Sequence, residues 1–348
     1  MKKISNILIV LFLSSHLSTA QTTEERITSV LQQFPAQNAK QLQKNIEGMA
    51  ALGQSGIAQL ATLLDNATQE QLTQIQYAVG GFSYFVTQNN KEDWRKIAAQ
   101  AYTEALQKVM NKEQKAFLIF QLQQVGKDEV VGTLSTFLAD EKLSGPAARA
   151  LGKIGTPLAG KTLTQALYGA SETRKIALVE ALGDARFAEA ASALEPLATS
   201  PHIDLRKVTL YALANIGVPS SEKILLSAAT KVAYNYDQAN ATASYLIFLN
   251  RLIENGHKIL ALKAADALHK STPSTQQIPT HIAALKLLTD IQAGASMPIL
   301  LKAMESSEVS YRAAALKFAQ KYINPTTINL WIKALPKAKP EVQAEIIE

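Results

Sequence analysis

Residues 155–162 read GTPLAGKT. This is a complete match to the phosphate-binding pattern G-x-x-x-x-G-K-[ST], in which glycine-rich backbone amides cradle phosphates and the lysine reaches the outermost groups. That chemistry needs a buried strand leading into the loop and a helix leading out of it. Here the lead-in is AARALGKI, an alanine-rich stretch without a run of β-branched residues. It reads as a helix ending in glycine, so the match predicts no nucleotide site.

The other residues capable of chemistry are dispersed. His202, His257, His269 and His281 show no H-x-x-x-H spacing, no H-E-x-x-H occurs, and GQSG at 53–56 is not a nucleophile elbow. The absence of cysteine excludes disulfides and thiolate metal ligands. Glu24-Glu25 and Glu92-Asp93 read as acids at helix starts, where the dipole favours them. We therefore assign no catalytic, cofactor-binding or metal-binding residue and read the chain as non-enzymatic. One stretch does suggest recognition. KVAYNYDQANATASYLIFLNRLIENG carries Tyr234, Tyr236, Tyr245 and Phe248 beside Asn235, Asn240 and Asn250. Tyrosine and asparagine together can stack on and hydrogen-bond a partner or a sugar, which makes Tyr234, Tyr236 and Asn240 the partner-binding candidates. The competing reading has Tyr245 and Phe248 packed in an ordinary helix and the other tyrosines filling a wider gap.

The elements that must carry these residues repeat. Ala-Leu pairs at Ala150-Leu151, Ala181-Leu182 and Ala212-Leu213 step by 31 residues, and Leu163, Leu194 and Leu225 keep the same step. An upstream copy aligns with a step of 29, from Leu122 to Leu151, and Ala284-Leu285-Lys286 recurs 31 residues later as Ala315-Leu316-Lys317. Weaker copies are MAALGQSGIAQLATLL and YAVGGFSYFV. Each unit holds two amphipathic segments, such as Ile176, Leu178, Val179 and Leu182, followed by Ala190, Leu194 and Leu197. Gly155, Gly183 and Gly217 read as the glycines that end a helix, and Pro157, Pro201 and Pro219 as the signals that open the next. Helices this short are marginal alone, so each pair must bury its stripe against its neighbours. The predicted fold is all-α, a right-handed α-solenoid of stacked helical hairpins. The slot that holds GTPLAGKT reads ARFAEAAS and GVPSSEKI in the next two units, so the motif has no counterpart there.

The copies ARALGKIGTPLAGKTL, ETRKIALVEALGDARFAEAASALEPLA and IDLRKVTLYALANIGVPSSEKIL resemble HEAT repeats, in particular the alanine-rich subtype similar to phycobilisome-lyase repeats. The resemblance implies an ARM/HEAT-type architecture. It also implies a structural role for acid–arginine pairs near a helix start, matched here by Glu172/Arg174 and Asp204/Arg206, and more loosely by Glu308/Arg312. Bilin attachment is not carried over, since such enzymes work in the cytoplasm on cysteine-bearing partners. The order of a signal peptide followed by these repeats also resembles secreted bacterial proteins that end in a 3-keto-disaccharide hydrolase domain, none of whose catalytic residues lie in this chain.

The N-terminus MKKISNILIVLFLSSHLSTAQ has Lys2 and Lys3, an apolar run over residues 7–13 and Ser18-Thr19-Ala20 before Gln21. That is the pattern of a cleaved signal peptide, and seven apolar residues fall short of the roughly 20 needed to span a membrane. Export to the periplasm or the medium is expected, with cleavage near Ala20. Removing Lys2 and Lys3 from the 35 basic residues leaves 33 against 29 acidic ones, a net charge of +4 without a basic stripe, which argues against nucleic-acid binding. The chain then divides into a signal peptide (1–20), divergent helical repeats (21–112), regular repeats (113–230), an irregular helical insertion (231–277) and further repeats (278–348), and a second interruption, STPSTQQIPT at 271–280, reads as an inter-unit loop or short linker. The last letters, PEVQAEIIE, can be laid over ETRKIALVE, after which the earlier unit continues into a second helix. This suggests truncation within a longer protein. Two functions are open on this reading. One is an exported scaffold whose groove holds another protein or an attached domain; the other is an accessory region of a secreted carbohydrate-active enzyme.

Overall fold

The structure is a computed structural model describing residues 21–338 and 340–347; the expected signal peptide lies outside them. Among the described residues no strand occurs, and no helix is long and apolar enough to cross a membrane. The fold is all-α, and its helices pack in sequence order in two compact units that divide after Val109.

The first unit holds α1 (Thr23–Leu31), α2 (Ala39–Ala51), α3 (Gly53–Thr62), α4 (Gln69–Val86) and α5 (Glu92–Lys108). Thr22 and Thr68 close capping boxes with Glu25 and Gln71, giving α1 and α4 defined starts. Glu24-Glu25 and Glu92-Asp93 lie in first turns. The core between α4 and α5 is tied by Tyr102, whose hydroxyl donates to the Val79 carbonyl at 3.0 Å beside Ser83.

The second unit alternates longer and shorter helices. The longer ones are α6 (Lys112–Val125), α8 (Ser144–Ile154), α10 (Glu172–Asp184), α12 (Ile203–Ile216), α14 (Ala241–Glu254), α16 (Ile278–Gln292) and α18 (Val309–Gln320). Each packs on the next in that order. Between them come α7 (Val131–Ser135), α9 (Pro157–Ala166), α11 (Ala191–Leu194), α13 (Glu222–Lys231), α15 (Lys258–Ser271), α17 (Met297–Ala303) and α19 (Ile328–Ala334), with α20 (Pro340–Ile347) last. α9 bridges α8 and α10, α13 bridges α12 and α14, and α15 bridges α14 and α16. Contacts that run only between sequence neighbours define a solenoid. Its spine is dry: Leu151, Leu163, Leu182, Leu194, Leu213 and Leu225 are all 0% exposed.

The glycines separate into two roles. Gly155 and Gly217 end α8 and α12 with left-handed φ of 65° and 69°, the conformation glycine adopts at least cost. Gly183 instead lies inside α10, and the left-handed residue after that helix is Arg186, φ 52°. The expectation that Gly183 ends a helix is thus corrected. Its hydrogen permits close approach, because an added Cβ would lie 2.7 Å from Cα of Ala212 on α12. Gly152 makes the equivalent approach of α8 to Ala181 of α10, 3.0 Å from its carbonyl oxygen. The interruption expected over 271–280 is also shorter, since α16 begins at Ile278 and takes Pro279 and Thr280 into its first turn.

Candidate functional site

The phosphate-loop letters form a helix junction. Gly155 is the C-cap of α8, Thr156 is the N-cap of α9 and accepts from the Ala159 amide, and Pro157 is the first helical residue. The Gly160 amide donates to the Thr156 carbonyl at 2.9 Å. Gly160 is also closed off by Phe187, whose ring would lie 2.4 Å from an added Cβ. Lys161 is an exposed residue on the side of α9. The amides of Ala159 and Gly160 are both taken by Thr156.

Between α13 and α14 the repeat is interrupted by the loop of residues 232–240. Ala233 and Tyr234 are both left-handed, at φ 49° and 56°, and Asn240 follows at 53°. Non-glycine residues adopt that region at a cost of roughly 1–3 kcal/mol each, and persist there only when neighbours hold them. The neighbours are explicit. The amides of Ala233 and Tyr234 donate back to the carbonyls of Thr230 and Ala229. Gln277 Nε2 donates to the Ala233 carbonyl at 2.7 Å, and Thr280 Oγ1 to the Tyr234 carbonyl at 2.8 Å. Thr242 Oγ1 donates to the Asn235 carbonyl at 2.9 Å. Asp237 accepts from the amides of Ala239 and Ala241, serving the start of α14. Asn240 therefore makes no side-chain cap.

This loop edges an open cavity of about 340 Å³ lined by Tyr234, Asn235, Tyr236, Asn240, Gln276 and Thr280. Asn240 and Ala243 also line a second cavity of about 220 Å³, with Glu180, Lys207, Tyr211 and Ile247. Tyr236 is 87% exposed and Tyr211 40%. The structure thus brings Tyr234, Tyr236 and Asn240 to one cavity, while Tyr245 and Phe248 are buried in α14 with stacked rings. Burial, with Glu222 and Tyr234 nearby, holds the Tyr245 hydroxyl above its ordinary range. Tyr211 was not singled out in the sequence; it occupies a position within a regular repeat, and only the fold sets it beside the loop.

The three arginines bind loop carbonyls. Arg174 Nη1 reaches the Leu138 carbonyl at 3.4 Å, Arg206 Nη1 reaches that of Ser200 at 2.5 Å, and Arg312 Nη1 reaches that of Ser306 at 2.9 Å. Arg206 and Arg312 thus tie the starts of α12 and α18 to the loops just before them, while Arg174 ties the start of α10 to the turn between α7 and α8.

A second grouping had no signal in the sequence. His269 of α15, His281 of α16 and Tyr311 of α18 meet, with the imidazoles stacked 4.0 Å apart. Among the described residues no set of three His, Cys, Asp or Glu side chains is arranged to hold a metal ion.

No family model and no curated protein matches this chain. Among solved structures, an engineered protein is similar at 16% identity, covering 92% of this chain and 97% of its own, with a TM-score of 0.37. The complex of CpcE and CpcF of phycocyanin lyase from Nostoc sp. PCC7120 is similar at 18% identity, covering 71% of this chain and 94% of its own, with a TM-score of 0.38.

Proposed function

We propose that this chain is an exported, non-enzymatic scaffold that holds a segment of a partner protein at the loop of residues 232–240. The observation that carries the reading is the loop itself. It interrupts the repeat, keeps Ala233, Tyr234 and Asn240 in left-handed conformations, and leaves Tyr236 87% exposed at the mouth of a 340 Å³ cavity. Strained backbone held by neighbours is a feature of binding sites. Tyrosine supplies large contact area at small entropic cost and dominates many interfaces, and insertions in solenoids tend to lie on the binding face. Export is supported by the basic, apolar and small-residue order of residues 1–20. The test begins with a photo-crosslinking amino acid at position 236 in the exporting cell, which captures and identifies the partner. The purified partner then binds the wild type, and Tyr236→Ala weakens it by roughly 10-fold or more, a loss typical of a buried interface tyrosine. Unchanged affinity in both Tyr236→Ala and Tyr234→Ala contradicts the proposal.

A second reading, the accessory region of a secreted carbohydrate-active enzyme, is favoured by the tyrosines standing among the amides of Asn235, Asn240 and Gln276. Ring faces beside amide groups suit a sugar. Saturable disaccharide binding by calorimetry, abolished by Tyr236→Ala, selects this reading over the first.

A further inference from the structure

One of the two stacked histidines, His281, lies one residue from Thr280, which grips the tyrosine loop. His269 and His281 face each other at 4.0 Å with their planes 15° apart. Tyr311 Oη lies 2.7 Å from His269 Nε2. Thr272 Oγ1 sends its proton to the Leu268 carbonyl at 2.9 Å, so it accepts from His281 Nδ1 at 3.2 Å. The arrangement suits two neutral rings and opposes charge on either. Burial first, and then the second imidazole, push His269 down to about 4; Lys270 and Lys302 add to this and Asp266 opposes it. Asp266 is itself engaged by Lys270 at 2.6 Å. At the start of α18, Glu308, the residue before the helix, accepts from Thr275 Oγ1 at 3.1 Å, and Arg312 is turned to the carbonyls of Ser306 and Ser307. Burial lowers His281 as well, opposed by its bond to the His269 carbonyl. Burial holds Tyr311 up at about 12, a neutral hydroxyl.

The next link is covalent. His281 follows Thr280, which donates to the Tyr234 carbonyl, and Gln277, just before α16, donates to that of Ala233. The first turn of α16, with Gln277 just before it, therefore bears His281, one ring of the pair, and also holds the left-handed residues of the loop.

We propose that the His269–His281 pair is an acid-operated release for the tyrosine loop: charging the stacked rings separates the start of α16 from α15 and frees residues 233–236. Its consequence for binding rests on the function proposed above; the conformational step does not. The direction follows from linkage. The ordinary imidazole value is about 6.5, so an opened or unfolded state binds more protons than the closed one below that pH. The closed state is thus fully favoured above about pH 6.5 and is lost as pH falls toward 4.

Amide hydrogen exchange of the full chain, corrected for intrinsic rates, tests this without a ligand. Between about pH 7.5 and about pH 5, protection of the Tyr234, Asn235 and Asn240 amides falls roughly tenfold in the wild type, one pK unit of linkage. It stays unchanged in His269→Gln/His281→Gln, which keeps polar side chains that cannot take up the proton. Should that variant fail to fold, the imidazole Cε1–H titration of the wild type replaces it, and loosening of the loop must follow the same midpoint. Equal protection at both pH values overturns the proposal, as does loosening that persists in the variant or ignores the histidine midpoint. If exchange behaves as expected while partner binding fails at every pH, the binding reading falls and the switch stands. Intact binding with pH-independent exchange gives the reverse.

Discussion

A methyl group at Gly183 would lie 2.7 Å from both Cα and Cβ of Ala212, distances at which α10 and α12 must move apart. Helix propensity alone favours alanine over glycine by about 1 kcal/mol. Overpacking a tight contact costs about 1–3 kcal/mol, and because one of the atoms met is backbone, the second effect prevails. Gly183→Ala is expected to lower the urea midpoint. Gly80→Ala, inside α4 with nothing within 4 Å of the added atom, is expected to raise it by up to about 1 kcal/mol in stability. The same residue marks where the sequence misleads. Glycine can end a helix or let two helices touch, and the letter does not say which, so Gly155 and Gly217 read correctly while Gly183 does not. Tyr234, Tyr236 and Asn240 stood out by composition because they break a regular pattern. His269 and His281 did not, since they are 12 residues apart on different helices and meet only through the turn from α15 into α16.

At the level of elements, helix ends decide how the repeats join. α13 ends in paired bonds, Tyr234 amide to Ala229 carbonyl and Ala233 amide to Thr230 carbonyl, with Ala233 in the left-handed position where glycine is usual. The α14 end uses the same bonds, His257 to Leu252 and Gly256 to Ile253, with glycine present at φ 86°. Ala233→Gly is therefore expected to stabilise the second unit by a few tenths to about 1 kcal/mol, relieving the Cβ penalty. Guanidinium denaturation measures it. A decrease would mean that the entropy of the added glycine outweighs the strain and that the loop is not held as tightly as its hydrogen bonds imply. The 31-residue step made these helices legible in advance, because a step shared by Leu151, Leu182 and Leu213 can arise only if each occupies the same place in successive pairs. The lengths of the connections were less so: the expected ten-residue interruption over 271–280 gives way to α16 at Ile278, since proline is accepted in a first turn.

For the whole molecule, the residues that suggest chemistry serve the stack, and the residues that interrupt the stack form the candidate site. Lys161 and Thr162 lie on a helix, while the leucine after them, Leu163, is fully buried. Leu194→Ala removes a fully buried spine side chain and is expected to cost about 2–5 kcal/mol, read from the shift in denaturation midpoint. Because a solenoid couples each pair only to its neighbours, loss of exchange protection should centre on α10, α11 and α12. The central claim, that the interrupted loop is the contact surface, is tested most directly by hydrogen exchange of the chain with and without the partner captured at position 236. The account predicts that new protection is confined to residues 207–211, 232–243 and 276–280. Protection that falls elsewhere, with these segments unchanged, contradicts it.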